Sequence, residues 1–298
     1  MVVVVGLPGY GLSSQIARAL GAIEAPVYHK VFPDGELYVR IVEPGIVKRE
    51  VVVVVSTLYP DQASNLLKTL LLVDAAKRAE ARRVIATLPY LAYSRQDKVF
   101  LPGEPVSACL VLKALRSAGA DALVTVDMHN PHTLECFGGD AVNLLVSDIL
   151  LKHAIEGMES PIVIAPDKGA FERAKYAATA LGLELDLLVK ERDRVTGAVS
   201  YRPCGVRVQG RDVVIVDDII STGGTIAEAA RILYEAGARN VVVAATHGLL
   251  VGEALSKMES AGVRRVVLAD TLLLRHSHPL IKCVDVTERI SEALKKII

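Results

Sequence analysis

The sequence predicts an α/β protein made of two tandem domains, each a mostly parallel sheet flanked by helices. Three observations carry this. Short apolar runs rich in Val and Ile recur along the chain, segments of helical periodicity separate them, and the series runs through the chain twice. Strands that alternate with helices indicate parallel βαβ construction, and unbroken apolar runs are those of strands covered on both faces. A chain of 298 residues is long enough for two separate cores.

The strands are expected over 2–5, 51–55, 84–88 and 122–126, then over 162–165, 186–189, 213–216, 241–245 and 266–268. The opening Met1-Val-Val-Val-Val-Gly6 lacks the basic start and long apolar core of a signal peptide, so it reads as a first strand of a cytoplasmic protein. The halves can be laid over each other. Residues 51–57 lead into a helix around 65–79 and then Ala81-Arg-Arg-Val-Ile-Ala-Thr87. Residues 213–218 lead into a helix around 225–236 and then Ala238-Arg-Asn-Val-Val-Val-Ala-Ala-Thr246. Similar order and spacing suggest a duplication. The expected domains are 1–142 and 143–298, with the helix over 287–298 placed so that it can pack back on the first.

Composition excludes several classes. Lys plus Arg equals Asp plus Glu at 34 each, so no global charge advertises nucleic acid or an acidic membrane surface. No apolar run reaches the roughly 18 to 20 residues needed to span a bilayer. Cys109, Cys136, Cys204 and Cys283 are scattered with no close pair, which argues against zinc and for buried thiols. A disulfide is expected only in a hyperthermophile's protein, at which the Val-rich, Trp-free, Met-poor composition hints.

The stretch most informative about chemistry is Val213-Val-Ile-Val-Asp217-Asp218-Ile-Ile-Ser221-Thr222-Gly223-Gly224-Thr225, at the carboxyl end of a strand and the start of a helix. In open α/β sheets ligands bind there, and the amides of such a turn can donate to phosphate oxygens with help from the helix dipole. Carboxylates beside a phosphate nest suit sugar hydroxyls or a hydrated divalent cation. The loop resembles the phosphoribosyl-pyrophosphate loop of the phosphoribosyltransferase-type fold. The corresponding stretch of the first half, Ser56-Thr-Leu-Tyr-Pro60-Asp61-Gln62, has neither the acidic pair nor Gly-Gly.

Other strand ends carry candidate residues. Phe32-Pro-Asp34-Gly35-Glu36 is a turn. Tyr93-Ser-Arg95-Gln96-Asp97-Lys98 follows a strand, with Arg for phosphate and Gln and Asp for amide-type recognition of a base. Asp127-Met-His129 closes another strand, and His129 could serve a nucleotide-bound Mg2+ directly or through water. Asp167, in Pro166-Asp-Lys-Gly, reads either as a metal ligand or as a helix cap. Lys190-Glu191-Arg192 lies in a charged stretch able to neutralise a transferring phosphoryl group.

Six motifs in this order resemble those of the ribose-phosphate pyrophosphokinase family, over essentially the whole chain, and the chain looks like an archaeal-type member. The resemblance implies transfer of the β,γ-diphosphoryl group of ATP to the anomeric hydroxyl of ribose 5-phosphate, with Mg2+, giving phosphoribosyl pyrophosphate and AMP. By it, Phe32, Asp34, Gly35 and Glu36 contact adenine from a neighbouring subunit, so the protein is at least a dimer, and Arg95, Gln96 and Asp97 hold ATP. His129 and Asp167 serve Mg2+, Lys190 and Arg192 are catalytic, and Asp217 and Asp218 face the ribose. Ser221, Thr222, Gly223, Gly224 and Thr225 cradle the 5-phosphate. Glu191 and Ser221 depart from a basic and an acidic residue common in the family, which weakens the expectation of a bacterial-type hexamer controlled by ADP and phosphate. A salvage phosphoribosyltransferase, which needs one such domain, and a non-catalytic synthetase-associated regulator are the alternatives.

Overall fold

The structure, a computed structural model, describes residues 1–7, 11–192, 199–203, 207–272 and 278–298, with the side chains at 189–192 and 199–203 outside that description. The chain divides into two compact units, Met1–Leu144 with Thr271–Leu273 and Val286–Ile298, and Leu145–Asp270 with Leu274–Asp285.

The first unit runs β1 (Val2–Gly6), α1 (Leu12–Leu20), β2 (Ile23–Ala25), β3 (Val27–Val31), β4 (Leu37–Ile41), β5 (Val51–Val55), α2 (Gln62–Arg78), β6 (Arg83–Leu88), α3 (Ser107–Ser117), β7 (Ala122–Val126) and β8 (Asp140–Leu144), with a 3-10 turn at Pro131–Phe137. Its six-stranded sheet has the order β2-β1-β5-β6-β7-β8, every pairing parallel. Val51 to Val55 are all buried, as expected of a strand with helices on both faces. The Pro-Asp-Gly turn joins β3 and β4 in a separate antiparallel hairpin.

The second unit runs α4 (Ser147–Ala154), β9 (Ile162–Ala165), α5 (Phe171–Leu181), β10 (Glu184–Arg192), β11 (Val199–Pro203), β12 (Asp212–Ile220), α6 (Gly224–Glu235), β13 (Asn240–Gly248), α7 (Ala254–Ser260), β14 (Val263–Ala269) and β15 (Ile281–Val284). The sheet order is β11-β10-β9-β12-β13-β14-β15, parallel except for β10 with β11. Ile162, Ile164, Val213, Ile215, Val241 and Val243 pack with Ile226, Ala230 and Leu233 of α6 in one core. The final helix, α8 (Thr287–Ile297), belongs to the first unit and lies against α1, β7 and β8, burying Ile290 and Leu294.

The two-sheet α/β architecture is the one the sequence predicts. The series β1-β5-β6-β7 matches β9-β12-β13-β14, so the repeat read in the sequence is also a repeat of topology. The differences are informative. The strand expected over 213–216 runs on to Ile220, with Asp217 opposite Ala245 and Ile219 opposite His247. Val216, Asp218 and Ile220 are buried while Asp217 and Ile219 are only half-buried, a period-2 pattern that continues through the acids. Counting apolar residues alone ends the strand too early. The strands β2, β8 and β15 are outer strands of their sheets with no strongly apolar run to announce them.

At the start of β12, Asp212 accepts hydrogen bonds from Nε and Nη2 of Arg239 (2.9 and 2.5 Å), from Nδ2 of Asn240 (2.8 Å) and from the Glu159 amide (3.0 Å). These donors, Arg239 first, hold its carboxyl down at about 2 against the ordinary 3.8. A depressed carboxyl stabilises the fold above its unfolded value and loses that contribution on protonation. Asp212→Asn is therefore expected to cost about 2 kcal/mol at neutral pH. The gap from wild type should close as pH falls from about 4 towards 2, as urea unfolding across that range would show.

Candidate active site

In the second unit the candidate residues gather at the carboxyl ends of neighbouring strands. Asp167 follows β9, Asp217 and Asp218 sit in the last part of β12, and the turn Ser221 to Gly223 leads straight into α6. Two backbone bonds anchor that turn. Leu250 N–H donates to the Ile220 carbonyl at 3.1 Å and Val251 N–H to the Ser221 carbonyl at 2.9 Å. Gly223, with φ of 73°, is the residue preceding α6. A Cβ there would lie 2.8 Å from the Ala254 carbonyl oxygen and 3.1 Å from its Cα, so both the left-handed backbone and the close approach require glycine.

No side chain caps α6 and no acid lies in its first turn, while Thr222, Gly224 and Thr225 are exposed. The helix therefore presents uncapped amides and its positive end at an open surface, the physical requirement for an anion. The matching place in the first unit is closed. There Asp61, at φ 61°, accepts the Ser64 amide with its own carboxylate (3.4 Å) and caps α2. One half has filled with an internal carboxylate the position that the other leaves open.

The acidic pair is held from below. Arg173 and Asp218 are 6% and 4% exposed, with Nη2 3.6 Å from Oδ2. The Asp218 amide donates to Oδ1 of Asp217 at 2.9 Å. Burial first, and then the neighbouring Asp218 charge, push the Asp217 carboxyl well above the usual carboxylate range, with Arg173 opposing. A divalent cation or a ring of sugar hydroxyls at this point relieves that repulsion. Asp167 is exposed, and its Oδ1 accepts the Ala170 amide at 3.0 Å in the turn that leads to α5, while no side chain caps the helix itself. Lys190 and Arg192 lie on β10 where it has passed the end of β9 and pairs only with β11, Lys190 opposite Tyr201 and Arg192 opposite Val199. Their side chains lie outside the described residues.

In the first unit, the loops after β5, β6 and β7 lie side by side because those strands are neighbours. Leu58 N–H donates to the Tyr90 carbonyl (3.1 Å) and Val126 N–H to the Pro89 carbonyl (3.3 Å). Arg95 is exposed, and Gln96 and Asp97 are half-buried. The Asn130 side chain donates to Oδ2 of Asp97 at 2.6 Å, and Ser107 Oγ donates to Oε1 of Gln96. Half-buried His129 follows Asp127, which is buried with a φ of 45°, and Met128, whose amide donates to Oδ1 of Asn143 at 2.8 Å. The hairpin turn is tight. Phe32 N–H donates to the Glu36 carbonyl (2.8 Å), Gly35 at φ 94° donates to the Phe32 carbonyl (2.9 Å), and Asp34 Oδ1 accepts the Glu36 amide (3.1 Å). Lys30 Nζ lies 4.2 Å from the centroid of the Phe32 ring, which is 36% exposed.

The structure thus groups Asp167, Asp217, Asp218 and residues 221–225 at the carboxyl end of one sheet, and Arg95, Gln96, Asp97 and His129 at that of the other. Arg173, Ser107 and Asn130 are contributors that sequence reasoning missed. Arg173 had a signal. It shares the buried face of α5 with Ala174, Ala177 and Ala178, and an arginine on an alanine face needs a partner. Ser107 and Asn130 had none, since each is an ordinary helix-start residue.

Among the described residues no three His, Cys, Asp or Glu side chains cluster so as to hold a metal, and no helix is long and apolar enough to cross a membrane.

Comparison with known proteins agrees with the motifs. Residues 1–119 match the family model described as the N-terminal domain of ribose phosphate pyrophosphokinase, and residues 203–298 match the phosphoribosyl synthetase-associated domain. The ribose-phosphate pyrophosphokinase of Methanopyrus kandleri is 42% identical over 300 residues, covering 100% of this chain and 99% of that one. That of Saccharolobus solfataricus is 35% identical, covering 99% and 100%. The crystal structure of phosphoribosylpyrophosphate synthetase from Mycobacterium smegmatis aligns with a TM-score of 0.90 at 30% identity, covering 99% of this chain and 98% of that one. This chain therefore belongs to the ribose-phosphate pyrophosphokinase family.

Proposed function

We propose that the protein is a ribose-phosphate diphosphokinase that moves the β,γ-diphosphoryl group of ATP to the anomeric hydroxyl of ribose 5-phosphate, yielding phosphoribosyl pyrophosphate and AMP. The observation that carries the acceptor side is the open, uncapped start of α6 behind the Asp217-Asp218 pair. The turn amides from Ser221 to Thr225 bind the 5-phosphate, and the acidic pair grips the ribose hydroxyls. On the donor side, Arg95 pairs with phosphate oxygens, and Gln96 and Asp97 meet the nucleotide. Phe32, Asp34, Gly35 and Glu36 take the adenine of a neighbouring copy, which makes the protein a homo-oligomer of at least two chains, acting in the cytoplasm. Lys190 and Arg192 neutralise the charge that builds on the transferring group, Arg192 as a fork and Lys190 as a point charge that can follow it.

The donor set fits Mg2+. Asp167, Asp217 and Asp218 supply hard carboxylate oxygens, and Mg2+ held by one or two carboxylates plus substrate phosphates and water needs no cluster of three protein ligands. Asp167 and His129 would each serve Mg2+, which when bound neutralises phosphate charge and lowers the pKa of a coordinated hydroxyl. With that, no side chain has to act as a strong base.

A salvage phosphoribosyltransferase explains the second unit and leaves the nucleotide-type loops of the first without a purpose. A non-catalytic regulator is disfavoured because Lys190, Arg192, His129 and the acidic pair are all present. The test is AMP formation from ATP and ribose 5-phosphate with Mg2+. No AMP from the wild-type protein sinks the reading, and consumption of phosphoribosyl pyrophosphate with a free base favours the salvage enzyme.

A further inference from the structure

Cys109 and Cys136 are joined by a disulfide, with their Cα atoms 5.1 Å apart. Its place relative to the loop at residues 95–97 has a mechanical meaning. That loop sits in the long connection between β6 and α3, and its own internal support is slight, with one turn bond from the Gln96 amide to the Tyr93 carbonyl at 3.3 Å. Its other anchors come from two separate starts. At the first turn of α3, the Ala108 amide donates to the Gln96 carbonyl at 3.2 Å and the Ser107 hydroxyl to the Gln96 side chain. At the head of the 3-10 turn, Asn130 donates to the Asp97 carboxylate.

Asn130 is rigidly part of that turn. Its Oδ1 accepts the His132 amide at 3.1 Å, and its carbonyl accepts the Thr133 hydroxyl at 2.7 Å and the Thr133 amide at 3.2 Å. Cys109 lies two residues beyond Ser107 in the first turn of α3, and Cys136 lies near the end of the turn that Asn130 begins. The bond therefore completes a ring from Gln96 through Ser107, Cys109, Cys136 and Asn130 to Asp97. In this ring the covalent link fixes the spacing of the two starts that grip neighbouring residues of the loop. A loop held in its binding conformation beforehand loses less freedom when the ligand arrives.

We propose that Asn130 and Ser107 are positioning residues for nucleotide binding and that the Cys109–Cys136 disulfide sets their spacing, so that reducing the bond weakens nucleotide affinity. This rests on the reading of Arg95, Gln96 and Asp97 as the nucleotide loop. Both cysteines are half-buried, so a small reductant has access. A dithiol delivers two electrons and two protons to the bond, giving two thiols and becoming a cyclic disulfide itself.

The test uses the full-length protein oxidised, reduced with a dithiol under thiol counting, and as the Cys109→Ser/Cys136→Ser and Asn130→Ala variants. KM is measured for both substrates, MgATP binding by calorimetry, and the circular dichroism spectrum at the assay temperature. Reduction, the double serine variant and Asn130→Ala should each raise KM and Kd for ATP roughly 3- to 10-fold. KM for ribose 5-phosphate and the spectrum should stay unchanged. An equal rise in both KM values, or ATP constants that ignore full reduction, overturns the proposal. Oxidised wild-type protein that binds no ATP removes the underlying nucleotide reading and the proposal with it, whereas intact binding insensitive to all three changes removes the proposal alone.

Discussion

Lys190→Ala is expected to lower kcat for AMP formation by roughly 10³-fold or more, with little change in thermal stability. A transferring diphosphoryl group carries concentrated negative charge, and cations placed around it are most of what a protein can contribute. Lys190 and Arg192 stand two positions apart on β10, beyond the last pairing of that strand with β9 at Leu187 and Ala165. There the strand pairs with β11 alone. Arg192→Lys keeps the charge and loses the fork, and should cost roughly 10²-fold. Steady-state kinetics with thermal unfolding as a control separates the two effects. A loss below tenfold for Lys190→Ala would remove it from the catalytic machinery.

Gly223→Ala is expected to raise KM for ribose 5-phosphate by roughly 10²-fold while leaving ATP binding alone. Two costs coincide at this residue. An L-residue at φ 73° is strained by roughly 1 to 2 kcal/mol, and the added methyl meets the backbone of Ala254 at 2.8 Å, which cannot swing aside as a side chain could. The turn has to shift, and with it the amides at the start of α6. A displacement near 1 Å in a positioned site costs on the order of 10²-fold. Isothermal titration with ribose 5-phosphate reads the effect directly, and a variant that binds it as tightly as wild type would show that the turn does not hold the phosphate.

Much of the architecture was legible in the sequence because buried parallel strands are nearly pure Val and Ile. Strands β1, β5, β7 and β9 match their expected spans to within a residue for that reason. The rest was hidden where polarity interrupts the pattern. Asp217 and Asp218 continue β12, yet an apolar count stops before them. The half-exposed hairpin β3–β4 is marked mainly by its Pro-Asp-Gly turn. At the site, Gly223 was visible as a glycine next to an acidic pair, but the reason it must be glycine is Ala254, thirty-one positions later and brought in by the fold. The two cysteines that pair are separated by 27 positions, and nothing in one sequence says that α3 and the following 3-10 turn bring them together.

The return of α8 to the first unit constrains how the protein is made. Residues 145–270 are an insertion between the first unit's sheet and the pieces that finish it, Thr271–Leu273 and Val286–Ile298. Thr57, beside the closed loop of that unit, gives its hydroxyl hydrogen to the Thr271 carbonyl at 3.0 Å, and the apolar face of α8 covers ground next to α1, β7 and β8. On the ribosome, the half that is translated first is therefore completed last. Its sheet waits with an uncovered flank while the whole second unit emerges and folds, which makes a chain stalled before residue 286 a natural client for chaperones.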